Sequence, residues 1–329
     1  MIDFQQLFSS FSSLKIGVIG DVMLDTYMWG RVDRISPEAP VPVVSLEKKE
    51  YRIGGAGNVA LNCRSLAAQV TMLSVAGNDE EAVMLKKLLD ESEIDTSYML
   101  FSPRRITTNK TRIISRNQQM MRLDAETTDD LDKELQEQLI DKIILYIANE
   151  EPDIIIFEDY NKGVLTEKLI VDIIQVCKKN GVITSVDPKR KNFFTYKGVD
   201  IFKPNLKEVK EGLNILVDEV TVPVLENIHS ELLRFLDHRI SFITLAEKGV
   251  FYQQEKGGHI IPSHMRNIAD VSGAGDTVIA VASLVYAATK DVKLMAGIAN
   301  IAGGLVCEEV GTVTINKEKL LKECQSLLG

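Results

Sequence analysis

The chain has 329 residues, 45% of them hydrophobic and 26% charged, with nine prolines and a formal net charge of −9. That balance excludes a disordered or fibrous chain, and the length supplies one large core, or one core with a modest appendage. A negative surface repels a phosphate backbone, so small ligands, not nucleic acid, are the expected partners.

Residues 1–5 carry neither a basic stretch nor a long apolar run, so no signal peptide is expected and the cytoplasm is the expected compartment. The β-branched run 15–20 predicts a buried strand that ends at Asp21. From 22 to 53 apolar and polar residues alternate without a crossover helix, which predicts an antiparallel ribbon. Helical spacing at 58–68 and 80–91 brackets a strand at 70–75. A second ribbon is expected at 102–124, with Asn117-Gln118 as the turn between 110–116 and 119–123. Such a small sheet must lean on the main body, so the two ribbons are read as a lid. Helices at 130–149 and 166–179 then alternate with strands at 153–157, 182–186, 201–202 and 241–245. The apolar runs 278–288 and 294–306 read as buried helices, too short or too interrupted to span a bilayer. The expected fold is α/β: a doubly wound, mainly parallel sheet flanked by helices, over a single domain 1–329 with a small antiparallel β lid.

Asp270-Val271-Ser272-Gly273-Ala274-Gly275-Asp276-Thr277 stands directly before the helix at 278–288. A helix start has unpaired N–H groups, and glycines let a phosphate oxygen come close to them. Asp276, in that first turn, can accept a proton from a hydroxyl attacking the bound phosphate. A plain loop with Asp276 as a helix cap remains the competing reading. Polar residues also gather after the buried strands: Asp21, Asp159, Asp187-Pro188-Lys189, Asn205 and Glu247-Lys248-Gly249. In open parallel sheets ligands bind beyond the carboxyl edge, so these termini together outline a site.

Gly54-Gly55-Ala56-Gly57-Asn58-Val59-Ala60 has the G-x-G-x-x-A spacing of a dinucleotide loop, with Asp79 about twenty residues on. Such a loop should follow a buried strand, yet Glu47, Lys48, Lys49, Glu50 and Arg52 precede it. The preferred reading is that Gly54 and Gly55 admit a polyhydroxylated ligand and Asn58 bonds its hydroxyls. No Walker-type phosphate loop is present. Between 103 and 123 lie Arg104, Arg105, Lys110, Arg112, Arg116 and Arg122 with no acid among them. On a strand Lys110, Arg112 and Arg116 share a face and suit a substrate phosphate or carboxylate, though a solvated edge or dimer contact is compatible. Cys63, Cys177, Cys307 and Cys324 are scattered and read as reduced packing residues, and His229, His238, His259 and His264 show no metal-ligand spacing. Trp29 reads as a packing or interface residue.

From about residue 14 to 322 these motifs resemble the PfkB, or ribokinase-like, carbohydrate kinases, through Gly54-Gly55 with Asn58 and through the 270–277 segment. Ser272 stands where threonine is common in that family, and both carry a hydroxyl. Gly20-Asp21-Val22-Met23-Leu24-Asp25, the stretch Arg-Ile-Ser-Pro-Glu-Ala-Pro-Val-Pro-Val at 34–43, and Ser115-Arg116-Asn117-Gln118-Gln119 are similar to the D-glycero-D-manno-heptose 7-phosphate kinases within it. Similar proteins are often fused to a nucleotidyltransferase domain; no His-x-Gly-His motif is present, so the kinase half alone is expected.

The resemblance implies an ATP- and Mg²⁺-dependent kinase acting on the C1 hydroxyl of heptose 7-phosphate, on the route to lipopolysaccharide or another surface glycan. A monovalent cation is a further candidate cofactor. It implies that Asp276 takes the C1 proton while the loop from Gly273 and the N–H groups of Ala274, Gly275 and Asp276 stabilise the transferred phosphoryl group. Asn205-Leu206-Lys207-Glu208 is similar to the family's N-x-x-E segment, placing Asn205 by the ATP phosphates and Glu208 on Mg²⁺ through water. Thr244, Glu247 and Gly249 resemble the nucleotide-side loop, with Asn300 beside the adenine. Asp21, Asp25, Gly54, Gly55, Asn58 and Asp159 are then the sugar-hydroxyl residues, and Lys110, Arg112 and Arg116 the candidates for the 7-phosphate. Homodimerisation through the β lid is expected. The alternatives are a kinase for another sugar such as fructose or ribose, a nicotinamide-dependent oxidoreductase, and a non-catalytic sugar-binding module.

Overall fold

The computed structural model describes residues 2–116, 118–255 and 257–329, so the Asn117 half of the expected turn lies outside the described residues. The chain opens with α1 (Phe4–Ser10), β1 (Lys15–Gly20), β2 (Val22–Ile35), β3 (Pro42–Gly55), α2 (Ala56–Ser65), β4 (Gln69–Leu73) and β5 (Val75–Gly77). It continues through α3 (Glu80–Glu91), β6 (Leu100–Ser102), β7 (Thr108–Ser115), β8 (Gln118–Ala125), α4 (Lys133–Glu150), β9 (Ile154–Glu158), α5 (Glu167–Asn180) and β10 (Ile183–Asp187). The last third holds β11 (Ile201–Phe202), α6 (Leu206–Leu213), α7 (Val222–Leu236), β12 (Ile240–Thr244), β13 (Val250–Gln253), β14 (His259–Ile261), α8 (Ala274–Thr289), α9 (Val292–Val306) and α10 (Lys317–Leu328).

Eight strands form the main sheet in the order β14-β13-β12-β11-β10-β9-β1-β4, and all neighbours from β12 to β4 pair in parallel. A parallel sheet covered on both faces needs strands that are apolar all round. The run Ile154-Ile155-Ile156-Phe157 supplies this and is fully buried, each such side chain contributing about 1.5–3 kcal/mol of transfer free energy. Ile154 and Ile156 belong to the core shared with α2, α8 and α9, whereas Ile155 and Phe157 belong to the core shared with α4, α5 and α7. The helices start where the sequence places short acceptors: Asp79, Asp132, Thr166, Asn205, Asp291 and Asn316 each cap an N-terminus through their side chains. The antiparallel edge β13–β14 and the helices α1, α6, α7 and α10 lie beyond the sequence expectations. Among the described residues no helix is long and apolar enough to cross a membrane.

The two ribbons exist as β2–β3 and β7–β8, both antiparallel. They do not stand apart: β2 pairs with β7 in parallel, giving one four-stranded sheet in the order β3-β2-β7-β8. Both inner strands enter the lid at the body, β2 directly after Asp21 and β7 directly after Thr107, whose hydroxyl accepts from Gly77 N–H. Starting from the same side, they run in the same direction. All six parallel strands end on one edge of the main sheet, and the lid is rooted at that edge.

Candidate active site

Helix α8 begins at Ala274 with Gly273 as its N-cap at φ 77°, a left-handed conformation that favours glycine, and no side chain caps it. Thr277 N–H makes the first intrahelical bond, to Gly273 O, so the N–H groups of Gly275 and Asp276 precede the ladder. The Ala274 N–H is spent on Val271 O at 3.3 Å, which removes one of the three amides expected to face a phosphate. Asp276 is 6% exposed and holds two donors: Tyr160 Oη–H on Oδ1 at 2.8 Å and Asn58 Nδ2 on Oδ2 at 2.7 Å. Asn58 therefore reaches the acid itself, whereas the sequence placed it only on sugar hydroxyls. Burial pushes the Asp276 carboxyl up to about 6, against the lowering effect of Asn58, Tyr160 and Lys203 and with a contribution from Asp187. A carboxylate has about four acceptor sites, so room remains for a substrate hydroxyl.

A second layer lies beneath Gly275, where a Cβ would sit 3.6 Å from Asp187 Oδ2 and 3.9 Å from Lys203 Nζ. Lys203 is 2% exposed and pairs with Asp187 at 2.7 Å. Lys189 bridges Asp187 at 3.1 Å and Glu208 at 2.8 Å. Burial opposes ionisation of Asp187, but Lys189 and Lys203 outweigh it and hold the carboxyl below its ordinary range. Burial likewise opposes the charge of Lys189, and Asp187, Glu208 and Glu158 overcome it and raise its pKa. Asn205 and Glu208 form a reciprocal capping box at the start of α6: Glu208 N–H donates to Asn205 Oδ1 at 2.9 Å, and Asn205 N–H to Glu208 Oε2 at 2.8 Å. Leu206 packs into the core, and Lys207 pairs with Glu211 on the solvent side, so neither side chain faces the site.

Among the described residues no group of three or more His, Cys, Asp or Glu is arranged to hold a metal ion. Both oxygens of Glu208 already accept one protein donor each. These residues fit a Mg²⁺ ion that would be held mainly by phosphate and water, with Glu208 reaching it through water, a habit of this reluctantly dehydrated ion.

Asp21 and Asp159 are each 1% exposed. Asp21 accepts the backbone N–H groups of Tyr160, Lys162 and Val164 at 2.9–3.0 Å. Burial and the nearby Asp159 push its carboxyl up to about 6 against those three bonds. Asp159 accepts from Asn161 N–H, Asn192 Nδ2 and Tyr196 Oη. Both acids thus hold the 159–164 loop at the strand ends where the sequence reading places the sugar. On the lid side Arg112 donates to Asp25 Oδ1, and its guanidinium lies 5.2 Å from the Tyr27 ring centroid. Gly54 backs onto this pair: a Cβ there would stand 2.5 Å from Asp25 Oδ2. Gly55, at φ 58°, starts α2 against Asp21, whose carbonyl accepts from Ala56 N–H at 3.0 Å. Lys110 pairs with Asp124 and Glu126, each at 3.4 Å. Arg116 falls beyond the end of β7, exposed and at φ 49°, so the expected row of three cations is a row of two.

On the other flank Thr244 bridges Asn205 across the sheet edge, and Glu247 and Gly249 belong to the turn that follows. Asn300, on α9, donates to Pro262 O at 2.9 Å and so anchors the chain leading to the 270–277 loop. Sequence reasoning missed the roles of Tyr160, Lys203 and Glu158, and saw Lys189 only as a polar strand terminus. Glu158 is fully buried at the end of β9, and neither carboxyl oxygen has a protein partner. Burial, then Asp187 and Asp276, raise its pKa well above the usual carboxylate range.

Residues 13–319 match the model of the pfkB family carbohydrate kinases. The chain belongs to this family. It is a sugar kinase of ribokinase-like fold, a family that binds a sugar and ATP. The bifunctional protein HldE of Aliarcobacter butzleri is 40% identical over 315 residues, covering 95% of this chain and 65% of that protein. HldE of Desulfatibacillum aliphaticivorans is 37% identical over 320 residues, 96% of this chain and 64% of that protein. The chain therefore spans less than two thirds of either relative. Among solved structures, Escherichia coli phosphofructokinase-2 in complex with potassium superposes with a TM-score of 0.79 at 16% identity, covering 96% of this chain and 99% of the other. Arabidopsis thaliana ribokinase complexed with ribose and ATP gives 0.72 at 15% identity, covering 94% and 98%.

Proposed function

We propose that this kinase transfers the terminal phosphoryl group of ATP to the C1 hydroxyl of D-glycero-D-manno-heptose 7-phosphate, giving the 1,7-bisphosphate for a surface-glycan precursor such as ADP-heptose. The observation that carries the chemistry is Asp276: a nearly buried carboxylate in the first turn of α8, beside free N–H groups and the Lys203–Asp187 pair. A base with a pKa near 6 is ionised at neutral pH yet basic enough to receive a proton in the transition state. The Gly275 and Asp276 amides, with the helix dipole, stabilise charge on the moving phosphoryl group. Mg²⁺, when bound, neutralises charge on the nucleotide phosphates.

The heptose assignment is supported by relatives called HldE at 37–40% identity and by the cationic lid, where Arg112 and Lys110 are the phosphate candidates. The reading includes a homodimer through the lid. Its outer strand β8 is exposed along its length and presents Met120, Met121 and Leu123, an unpaired edge of the kind that recruits another strand. ADP release should be measured across heptose 7-phosphate, fructose 6-phosphate, ribose and unphosphorylated heptose. Heptose 7-phosphate should give the highest kcat/KM; a higher value for any other sugar would replace the substrate assignment.

A further inference from the structure

Tyr160 sits between two charged groups that the sequence does not connect. Its hydroxyl donates to Asp276 Oδ1 at 2.8 Å, and Lys189 Nζ lies 5.6 Å from its ring centroid. Its backbone is fixed independently, because Tyr160 N–H donates to Asp21 at 2.9 Å and the Asp21 carboxylate also gathers Lys162 and Val164. A phenol anchored in this way gives Asp276 one orientation, with the remaining acceptor sites left for substrate. Its ring meets the cation that joins Asp187 to the α6 capping box at Glu208.

We propose that Tyr160 is a positioning residue for phosphoryl transfer, holding the carboxylate of Asp276 in register with the Lys189–Glu208 pair on the nucleotide side. The proposal rests on the reading of Asp276 as the base and extends it to the residue that aims it. The charged and titratable groups around Asp276 are Glu158 at the end of β9, Asp187 at the end of β10, Lys203 after β11, and Tyr160 itself, with Lys189 one step further out. Among the described residues only Tyr160 and the neutral Asn58 donate hydrogen bonds to the carboxylate, and a donor to the charged form favours ionisation.

Tyr160→Phe removes that donor and keeps the ring. With isotope-labelled aspartate in the free protein, the Asp276 signal, assigned by its loss in Asp276→Asn, should titrate about one pH unit higher in Tyr160→Phe than in the wild type. The acid limb of kcat/KM should move by the same amount. An unmoved midpoint overturns the proposal. Should the variant fold poorly, isotope-labelled tyrosine in the wild-type protein decides: the Tyr160 ring signal must follow the Asp276 titration with the same midpoint, and a flat response overturns the proposal equally. The ring's share is read separately, since Tyr160→Leu should raise KM for ATP about fivefold over Tyr160→Phe, the size of a modest cation–π contact. Equal values would remove the link to Lys189. The titrations need no turnover, so absence of kinase activity on every sugar would sink the proposed function without deciding the fate of Tyr160.

Discussion

At the cleft floor, Asp276, Asp187 and Lys203 are almost fully buried on strand ends and a helix start, whereas Lys110, Arg112 and Arg122 stand on a lid sheet whose outer strand is exposed throughout. Buried charges interact in a low effective dielectric, so their partners fix both geometry and protonation. The more exposed lid pairs are screened, contribute about 0–1 kcal/mol each, and can exchange partners with a ligand at little cost. Arg122 with Asp124 is of this kind, and the Arg112–Asp25 pair, partly buried and set against Tyr27, stands between the two regimes. The floor is thus held in one geometry, whereas the lid pairs are free to rearrange.

The largest effect should come from the floor. Asp276→Asn is nearly isosteric and can still be held by Asn58 and Tyr160, yet it cannot take a proton. Its kcat should fall about a thousandfold with ATP affinity within about threefold, measured by coupled ADP release and nucleotide titration. Turnover within tenfold of the wild type would dismiss Asp276 as the base. The wild-type kcat/KM should rise with pH through about 6, where the carboxylate ionises. Stability responds with the opposite sign. Because folding raises the Asp276 pKa from 3.8 to about 6, the native state keeps a proton that the unfolded chain releases, and stability is lost as pH rises through that window. The loss amounts to about 3 kcal/mol at most. Thermal melts of Asp276→Asn should therefore compare more favourably with the wild type at pH 7 than at pH 4.

A smaller and more selective effect is expected at the lid. Arg112→Met removes the partner of Asp25 and one phosphate candidate together, so kcat/KM for the sugar phosphate should drop about 10- to 100-fold, the worth of a charge-assisted hydrogen bond. KM for ATP should stay where it was. A parallel loss for ATP would mean that the lid shapes the whole cleft, and the contrast between the two regions would dissolve.

The same contrast marks what was legible in the sequence. The strand expected at 153–157 and found at 154–158 announces itself as a continuous apolar run, the helix 80–91 by its regular period, and the 270–277 motif is a contiguous string whose chemistry is read from its residues. Tyr160 and Lys203 were not legible, because their partners Asp276 and Asp187 are 116 and 16 residues away and only the fold brings them together. The loop contacts of Asp21 and Asp159 were hidden for a related reason: a loop clamp and a sugar acceptor use the same carboxylate at the same strand end. The row at Lys110, Arg112 and Arg116 failed at its last member because β7 stops at Ser115 and Arg116 turns left-handed.

An intermediate test addresses the lid edge. Met121 and Leu123 are 55% and 52% exposed, so replacing both with lysine should alter folding stability by only about 0.5 kcal/mol. If β8 is the dimer edge, the same change should weaken self-association at least about tenfold in sedimentation, since lysines along an edge strand are one way sheet edges are kept apart. Unaltered association would move the interface elsewhere.

The smallest effect is expected from a buried carboxyl with both oxygens unpartnered among the described residues. Glu158 is fully buried with no hydrogen-bond partner on either oxygen among the described residues, and burial, then Asp187 and Asp276, raise its pKa and favour its neutral form. A neutral acid and an amide have nearly the same size, and Glu158→Gln adds only one further N–H to a site that already leaves its polar atoms unpaired. The expected cost is about 1 kcal/mol in chemical denaturation, with kcat changed less than about threefold. A hundredfold loss of kcat would mean that Glu158 carries charge during turnover. In that case the pKa of Asp276 would be set by a second anion as well as by Tyr160 and Asn58, and the floor would titrate as a coupled pair.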